Sequence, residues 1–342
     1  MPTVILLGRT ACDNQSRLLR LLQTAWDIVP LPDEPVPDKP VSDENAGAAL
    51  RQALPQASAF IGLRWKREWM EDARQLRLVQ ALGAGVEAYD VAALPPGCAL
   101  CNVYEHGVPV AEYVIGAMVA LTARFAFHDA RLRQGHWDGS GRLDGVPHAE
   151  LAGQTVGLIG WGSIGREVAR RARAFGMSVR AIRAHPQPED QSQLDWVGEP
   201  AQLEDLLAVS DYLVICCPLN SQTRGMLNEA RLKSLKPGAY LINVARAEVI
   251  EEAALFAALQ SRRLAGAALD VWYQYPADGA QTMLPATLPF YELDNVLMTP
   301  HLSAWTEAMI ERRWQKIAAN LDALVEGRPL ENLVHAAAEN RL

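Results

Sequence analysis

The residues best equipped for chemistry begin where Thr155-Val-Gly-Leu-Ile runs into Gly160-Trp-Gly162-Ser-Ile-Gly165. The apolar run reads as a buried strand, and a helical pattern starts at once after it. A GxGxxG placed between strand and helix is the arrangement that cradles a dinucleotide pyrophosphate. Gly160 permits the tight turn, Gly162 lets the backbone approach the anion, and Gly165 lets helix and strand pack closely. The helix start adds free N–H groups and a partial positive charge. A glycine-rich turn with no ligand is the plainer reading, and the strand-helix context weighs against it. Arg183 follows the next strand, with His185 close by. An acidic residue there would hold a ribose 2′-hydroxyl, whereas an Arg pairs with a 2′-phosphate. Arg183 thus favours NADP, with NAD still open. The plainer reading is that it stacks on an adenine or merely ends a strand in solvent.

The elements that must position these residues form two series. In the first hundred residues, apolar runs at 4–8, 27–29, 59–62, 78–82 and 99–103 alternate with helix-like stretches at 16–24, 46–54 and 68–74. This is the rhythm of a parallel sheet covered by helices. Residues 30–40, rich in Pro and Asp, read as a surface loop. A long helical pattern runs from 110 to about 133, and the Gly- and Trp-containing stretch 134–148 reads as an irregular excursion able to meet a partner subunit. The second series has strands expected at 155–159, 178–182, 212–216, 239–244, 265–269 and 296–298. Its helices are expected at 164–175, 203–208, 228–234 and 251–260. Six strands in this order suit a doubly wound nucleotide fold. A final helix at 304–326 is long enough to cross back to the first series.

Composition narrows the classes. The chain has 342 residues, 49% hydrophobic and 21% charged, a globular mixture with length for two domains. Its net charge of −8 argues against a nucleic-acid partner. No apolar run approaches membrane-spanning length; 111–127 comes closest but contains Glu112 and Arg124. No signal peptide is expected. Cys98 and Cys101 form a lone CxxC on an expected strand, where residues three apart point to opposite faces; that suits neither a metal nor a redox pair. His128, His136 and His148 show no metal-ligand pattern, and no metal is expected. A reducing cytoplasm fits.

With these pieces in view, the sequence resembles the D-isomer-specific 2-hydroxyacid dehydrogenase family, which includes phosphoglycerate dehydrogenases and glyoxylate/hydroxypyruvate reductases. The matching segments are 80–87 (QALGAGVE), 110–113 (VAEY), the glycine fingerprint, 218–225 (PLNSQTRG), 236–246 (KPGAYLINVAR), 268–271 (ALDV) and 299–301 (TPH). The resemblance implies an α/β protein with two doubly wound parallel-sheet domains. A flavodoxin-like substrate domain would comprise 1–102 and 303–342, and a Rossmann NAD(P)-binding domain 103–302. It also implies a homodimer.

The family's catalytic residues are an Arg, a Glu and a His. Arg246 matches the Arg, whose fork can hold a substrate carboxylate and polarise a keto oxygen. His301 matches the acid/base, protonating the oxygen as hydride adds to the carbonyl carbon. The resemblance further implies that the backbone of Gly83, Ala84, Gly85 and Val86 binds the carboxylate. It implies that Ser163, Ile164, Cys217 and Pro218 join the three glycines at the cofactor, and that Asp270 lies near the nicotinamide. Taken singly, Arg246 could be a surface strand end and His301 a helix cap. The family's Glu is missing: its position is Tyr275, in Asp270-Val-Trp-Tyr-Gln-Tyr275-Pro276. A carboxylate there would raise the imidazole pKa, and a neutral Tyr brings no charge. His301 is therefore expected to be harder to protonate than in typical relatives. Glu292, Asp294 and Glu105 are candidates to replace the charge. Arg64 could bind a second anionic group or be a solvated loop residue, and His106 could line a cleft or serve a hinge.

Two classes of function follow. The first is an oxidoreductase moving a hydride between NAD(P)H and a small 2-keto or 2-hydroxy acid, with NADP favoured and glyoxylate or hydroxypyruvate as first substrates. The alternative is a nucleotide-sensing, corepressor-like protein with an impaired site. Loss of the Glu favours the latter, and retention of Arg246 and His301 opposes it.

Overall fold

The computed structural model describes residues 1–32, 43–139, 141, 145–276 and 282–336. The sequence-based loop at 30–40 and excursion at 134–148 thus fall partly outside the described residues. The chain divides into two compact units, Met1–Glu105 with Thr306–Leu342, and His106–Trp305.

The first unit is a six-stranded sheet. Its strands are β1 (Thr3–Leu7), β2 (Asp27–Leu31), β3 (Ala57–Gly62), β4 (Leu78–Ala81), β5 (Ala99–Cys101) and β13 (Leu333–His335), in the order β13-β5-β4-β3-β1-β2. All pairs are parallel except β13 against β5. The helices are α1 (Arg9–Cys12), α2 (Gln15–Leu21), α3 (Asp43–Ala53) and, from the C-terminal segment, α10 (Glu307–Glu326). Alternation along β1 splits the core. Val4 and Leu6 pack with Trp314, Ile317 and Leu321 of α10, while Ile5 and Leu7 pack with Leu50, Leu54 and Trp69. Pro30 lies inside β2, which pairs only with β1; an edge strand tolerates a residue lacking an N–H. The helix expected at 68–74 is instead one 3-10 turn, Arg67–Trp69. Trp69 is buried against Trp65 and Phe60, with ring centroids 5.7 and 5.8 Å away, and this anchor ends the coil after a single turn. α10 starts three residues later than expected because the Thr306 side chain accepts from Met309 N–H and caps it.

The second unit is a seven-stranded, all-parallel sheet. Its strands are β6 (Thr155–Ile159), β7 (Ser178–Ile182), β8 (Trp196–Gly198), β9 (Tyr212–Ile215), β10 (Ala239–Asn243), β11 (Leu264–Leu269) and β12 (Val296–Met298). Their order is β12-β11-β10-β9-β6-β7-β8, so strand succession reverses at β6. The helices are α4 (Gly107–Thr122), α5 (Phe125–Arg133), α6 (Ser163–Ala174), α7 (Leu203–Val209), α8 (Glu229–Ser234) and α9 (Glu252–Gln260). Leu213 and Ile215 of β9 face a core with Leu232, Leu255 and Leu259, and Tyr212 and Val214 face one with Val114, Met118 and Val168. The doubly wound α/β expectation holds for both sheets. β8 went unanticipated, being three residues with no alternation to betray it.

The single helix expected over 110–133 is two helices, bent by 56°. Arg124 between them adopts a left-handed φ of 49°, with its guanidinium 4.1 Å from the Phe127 ring and 3.5 Å from Asp294. Among the described residues, no single helix is long and apolar enough to cross a membrane, and no group of His, Cys, Asp or Glu could hold a metal. None of the five cysteines forms a disulfide; burial pushes the Cys98 and Cys101 thiols up to about 12.

Candidate functional site

In the second unit, the sequence-predicted site residues fall at the C-terminal ends of parallel strands. Gly160 follows β6, Arg183 follows β7, Cys217 and Pro218 follow β9, Arg246 follows β10, Asp270 and Tyr275 follow β11, and His301 follows β12. Six of the seven strands thus deliver to one edge of one sheet, where doubly wound folds bind ligands.

The glycine turn shows why each glycine is needed. Gly160 has φ 114°, and a Cβ there would lie 2.8 Å from the Cys216–Cys217 peptide. A Cβ on Gly165 would lie 2.6 Å from the Gly160 carbonyl oxygen. At Gly162 a Cβ would meet nothing within 4 Å, so this glycine leaves open space rather than relieving a protein contact. α6 has no side-chain cap, and its first intrahelical bond is Arg166 N–H to the Gly162 carbonyl. The N–H groups of Ser163, Ile164 and Gly165 are the uncommitted donors of a helix start. Open backbone beside an uncapped helix fits a pyrophosphate. Cys217 is half-buried, its thiol pushed up to about 11 by burial, and Pro218 is exposed.

Arg183 does not project freely into solvent. Its Nη1 donates to Asp190 Oδ2 at 2.6 Å. Asp190 is fully buried and also accepts from Gln187 N–H at 2.9 Å, Trp161 Nε1 at 2.8 Å and Arg166 Nη2 at 3.4 Å. Burial alone would raise its pKa, but the donors from Gln187, Arg183 and Trp161 outweigh this and hold it below the usual carboxylate range. The sequence reading missed Asp190; a carboxylate seven residues after Arg183, past two prolines, matches no fixed spacing.

The second cluster centres on His301. Tyr275 Oη lies 2.9 Å from His301 Nδ1, and Trp272 N–H donates to the same hydroxyl oxygen at 3.3 Å. A neutral imidazole can accept the Tyr275 hydroxyl proton at Nδ1, and an imidazolium can donate back to the Tyr oxygen. His301 has a left-handed φ of 55°. Asp270 holds that turn: fully buried, it accepts from Thr299 Oγ1 at 2.6 Å and from the Leu302 and Ser303 N–H groups at 2.9 Å each. The His301 pKa is lowered, chiefly by partial desolvation, although the residue keeps a solvent-exposed face; Asp270 opposes and Arg246 reinforces the shift. Burial is also the main cause raising the Tyr275 pKa, so its hydroxyl stays protonated. Arg246 bonds the Ala245 carbonyl through Nη1 at 2.8 Å. A cavity of about 450 Å³ opens beside His301, with Trp272, Pro276, Met283, Met298 and Pro300 among its walls.

Two of the candidate replacements for the missing carboxylate are engaged elsewhere. Asp294 pairs with Arg124 and Arg262, and Glu105, in the first unit, pairs with Arg312. Glu292 is exposed at the end of a 3-10 turn, Phe290–Glu292, whose Phe290 is buried. The carboxylate whose charge reaches His301 is Asp270. Also in the first unit, Gly83, Ala84, Gly85 and Val86 form the half-buried loop after β4, tied by Val103 N–H to the Gly83 carbonyl and Asn102 Nδ2 to the Ala84 carbonyl. Among the described residues, the four N–H groups of that loop meet no backbone carbonyl acceptor. Arg64 is half-buried after β3, and His106 stands at the N-cap of α4.

Comparison with known proteins gives this geometry its context. Residues 115–303 match the model of the D-isomer specific 2-hydroxyacid dehydrogenase, NAD binding domain. The chain belongs to the D-isomer-specific 2-hydroxyacid dehydrogenase family. A glycerate dehydrogenase of Methylorubrum extorquens is 31% identical over 265 residues, 76% of this chain and 79% of that protein. A glyoxylate reductase of Thermofilum pendens is 32% identical over 274 residues, covering 78% and 77%. A D-3-phosphoglycerate dehydrogenase of Methanocaldococcus jannaschii is 31% identical over 80% of this chain, which spans half the length of that protein. Among solved structures, the 2-hydroxyacid dehydrogenase of Ketogulonicigenium vulgare is 26% identical, with a TM-score of 0.79 over 98% of this chain and 99% of that one. As a member of this family with its NAD-binding domain, the chain takes a nicotinamide cofactor.

Proposed function

We propose that this dehydrogenase reduces small 2-keto acids such as glyoxylate and hydroxypyruvate, with NADPH preferred over NADH. The observation that carries the reading is the delivery of Arg246, Tyr275 and His301 by the consecutive parallel strands β10, β11 and β12 to the same sheet edge as the glycine turn after β6. When bound, the nicotinamide supplies the hydride. Arg246 then holds the substrate carboxylate and draws electron density toward the keto oxygen. Protonated His301 gives its Nε2 proton to that oxygen as the alcohol forms. Tyr275 fixes the ring through Nδ1, and Asp270 fixes the turn that aims it. The N–H groups of residues 83–86, in the first unit, are suited to bind an anionic group. The NADPH preference is supported by what β7 offers an adenosine ribose. Arg183 supplies donors, and Asp190 has both oxygens taken and no exposed surface, so it cannot accept from a 2′-hydroxyl. Exposed Phe125, Leu132, Trp137 and Val146 support a homodimer formed through this stretch.

Initial rates with glyoxylate, hydroxypyruvate, pyruvate and phenylpyruvate, each with NADPH and NADH, test the proposal. Substrate-dependent oxidation that is faster with NADPH is expected. Binding of cofactor with no turnover on any substrate would refute the reductase reading, and faster turnover with NADH would refute the cofactor preference.

A further inference from the structure

We infer that Asp190 is a positioning residue for cofactor selectivity: by clamping Arg183, Arg166 and Trp161 together it builds the guanidinium face that recognises a ribose 2′-phosphate. The inference rests on the NADPH reading above and assigns the residue that makes it work.

A lone arginine at a strand end is a poor selector. Its side chain samples many rotamers, and ordering it for a ligand costs conformational entropy. Here the ordering is done in advance. Asp190 lies in the 3-10 turn Pro188–Ser192 and is fully buried, so its carboxylate is fixed by its own turn. Oδ2 takes Arg183 Nη1 and the Gln187 N–H; Oδ1 takes Trp161 Nε1 and Arg166 Nη2. Arg166 comes from the first turn of α6, stacks over the Trp161 ring at 4.9 Å and donates through Nη1 to Gln193. Trp161 is the residue between the first two glycines of the fingerprint. One buried carboxylate therefore ties together the pyrophosphate turn, the first turn of its helix and the end of the next strand.

The charge balance suits a dianion. Two guanidinium groups and one carboxylate leave one net positive charge, and Arg183 keeps 29% of its side chain accessible while Asp190 keeps none. Arg183 spends only Nη1 on Asp190 in this cluster, which leaves Nε and Nη2 as the fork for phosphate oxygens. Removing the carboxylate would lift one repulsive charge from the phosphate. It would also leave two half-buried guanidiniums without their common acceptor, and breaking a buried pair is the larger effect.

The test is calorimetric titration with 2′,5′-ADP and 5′-AMP, which needs no turnover. It is run on the wild type, Asp190→Asn, Arg183→Ala and the double variant, each checked for folding by circular dichroism. Wild type is expected to bind 2′,5′-ADP at least tenfold tighter than 5′-AMP, with that ratio falling tenfold in Asp190→Asn. In the Arg183→Ala background, Asp190→Asn is expected to change the ratio no further, because it acts through Arg183. A ratio near one in the wild type overturns the NADPH reading itself. A wild-type preference that survives or grows in Asp190→Asn, or falls additively in the double variant, overturns the role of Asp190 alone. Should Asp190→Asn not fold, Trp161→Phe withdraws one donor without touching a charge. A reduced ratio there supports the clamp, and an unchanged one refutes it.

Discussion

Replacing Tyr275 by Glu should move the pH limit of reduction upward. The Tyr275 hydroxyl sits 2.9 Å from His301 Nδ1, so a carboxylate at this position would lie about 4 Å from the centre of the imidazolium charge. At that separation, an effective dielectric of about 20 gives about 4 kcal/mol, or roughly three pKa units. His301 is reachable by solvent, which cuts this figure by half or more and leaves roughly 1 to 1.5 units. The sign follows from the proton's role. Reduction needs the imidazolium, so the rate falls as pH rises through the His301 pKa. Burial and Arg246 lower that pKa in the native protein, placing the fall below the range of an ordinary imidazole. Tyr275→Glu should push it back up and raise kcat/KM about tenfold at a pH on the falling limb. The assay is kcat/KM for glyoxylate reduction from pH 5 to 9, for wild type, Tyr275→Glu and Tyr275→Phe. The Phe variant keeps the ring, loses the Nδ1 bond and should lower the rate about five- to thirtyfold with little movement of the limb. A Tyr275→Glu profile that superimposes on the wild type would refute any action of residue 275 on His301. A wild-type profile flat to well above neutrality would refute the lowered His301 pKa.

Arg246→Lys keeps the charge but loses the planar fork, and kcat/KM should fall about a hundredfold or more, measured by initial rates with saturating cofactor. A loss under fivefold would remove Arg246 from the substrate carboxylate. The glycine turn predicts two different failures. Gly160→Ala forces a Cβ to 2.8 Å from the Cys216–Cys217 peptide at φ 114° and should cost about 1 to 3 kcal/mol of stability, read as a lower Tm. Gly162→Ala meets open space, so its Tm should hold while cofactor affinity falls; a drop in Tm equal to that of Gly160→Ala would refute the distinction.

The two sheets were legible because their strands are apolar runs between helical patterns, and a parallel sheet buried on both faces leaves that trace. β8, one three-residue strand, leaves none, and α4 and α5 read as one helix because the break at Arg124 comes from a backbone turn secured by Phe127 and Asp294, the latter 170 residues away. The same rule divides the site. Gly160, Gly162 and Gly165 stand at a spacing fixed by local backbone geometry, so the sequence itself points to them, whereas Arg246 and His301 are expected from motifs that resemble the family's. Asp190 and the turn-holding contacts of Asp270 act across the fold, and only coordinates reveal them, although the 268–271 motif already points to Asp270 itself: one gathers donors from the turn after β6, from α6 and from the end of β7, and the other holds the turn after β12 from the end of β11.

Both carboxylates do the same physical work. Each is fully buried, each spends both oxygens on protein donors, and each fixes the direction of a cationic or protonatable side chain at the sheet edge. This offers a physical account of how an acid/base His can lack a directly bonded carboxylate. Asp270 fixes the turn that aims His301 and supplies an opposing charge that favours its proton, while Tyr275 holds Nδ1 without adding charge. The orientation of the ring and the affinity for its proton are thus set by different residues, so Tyr275→Phe should disturb the first and Tyr275→Glu the second.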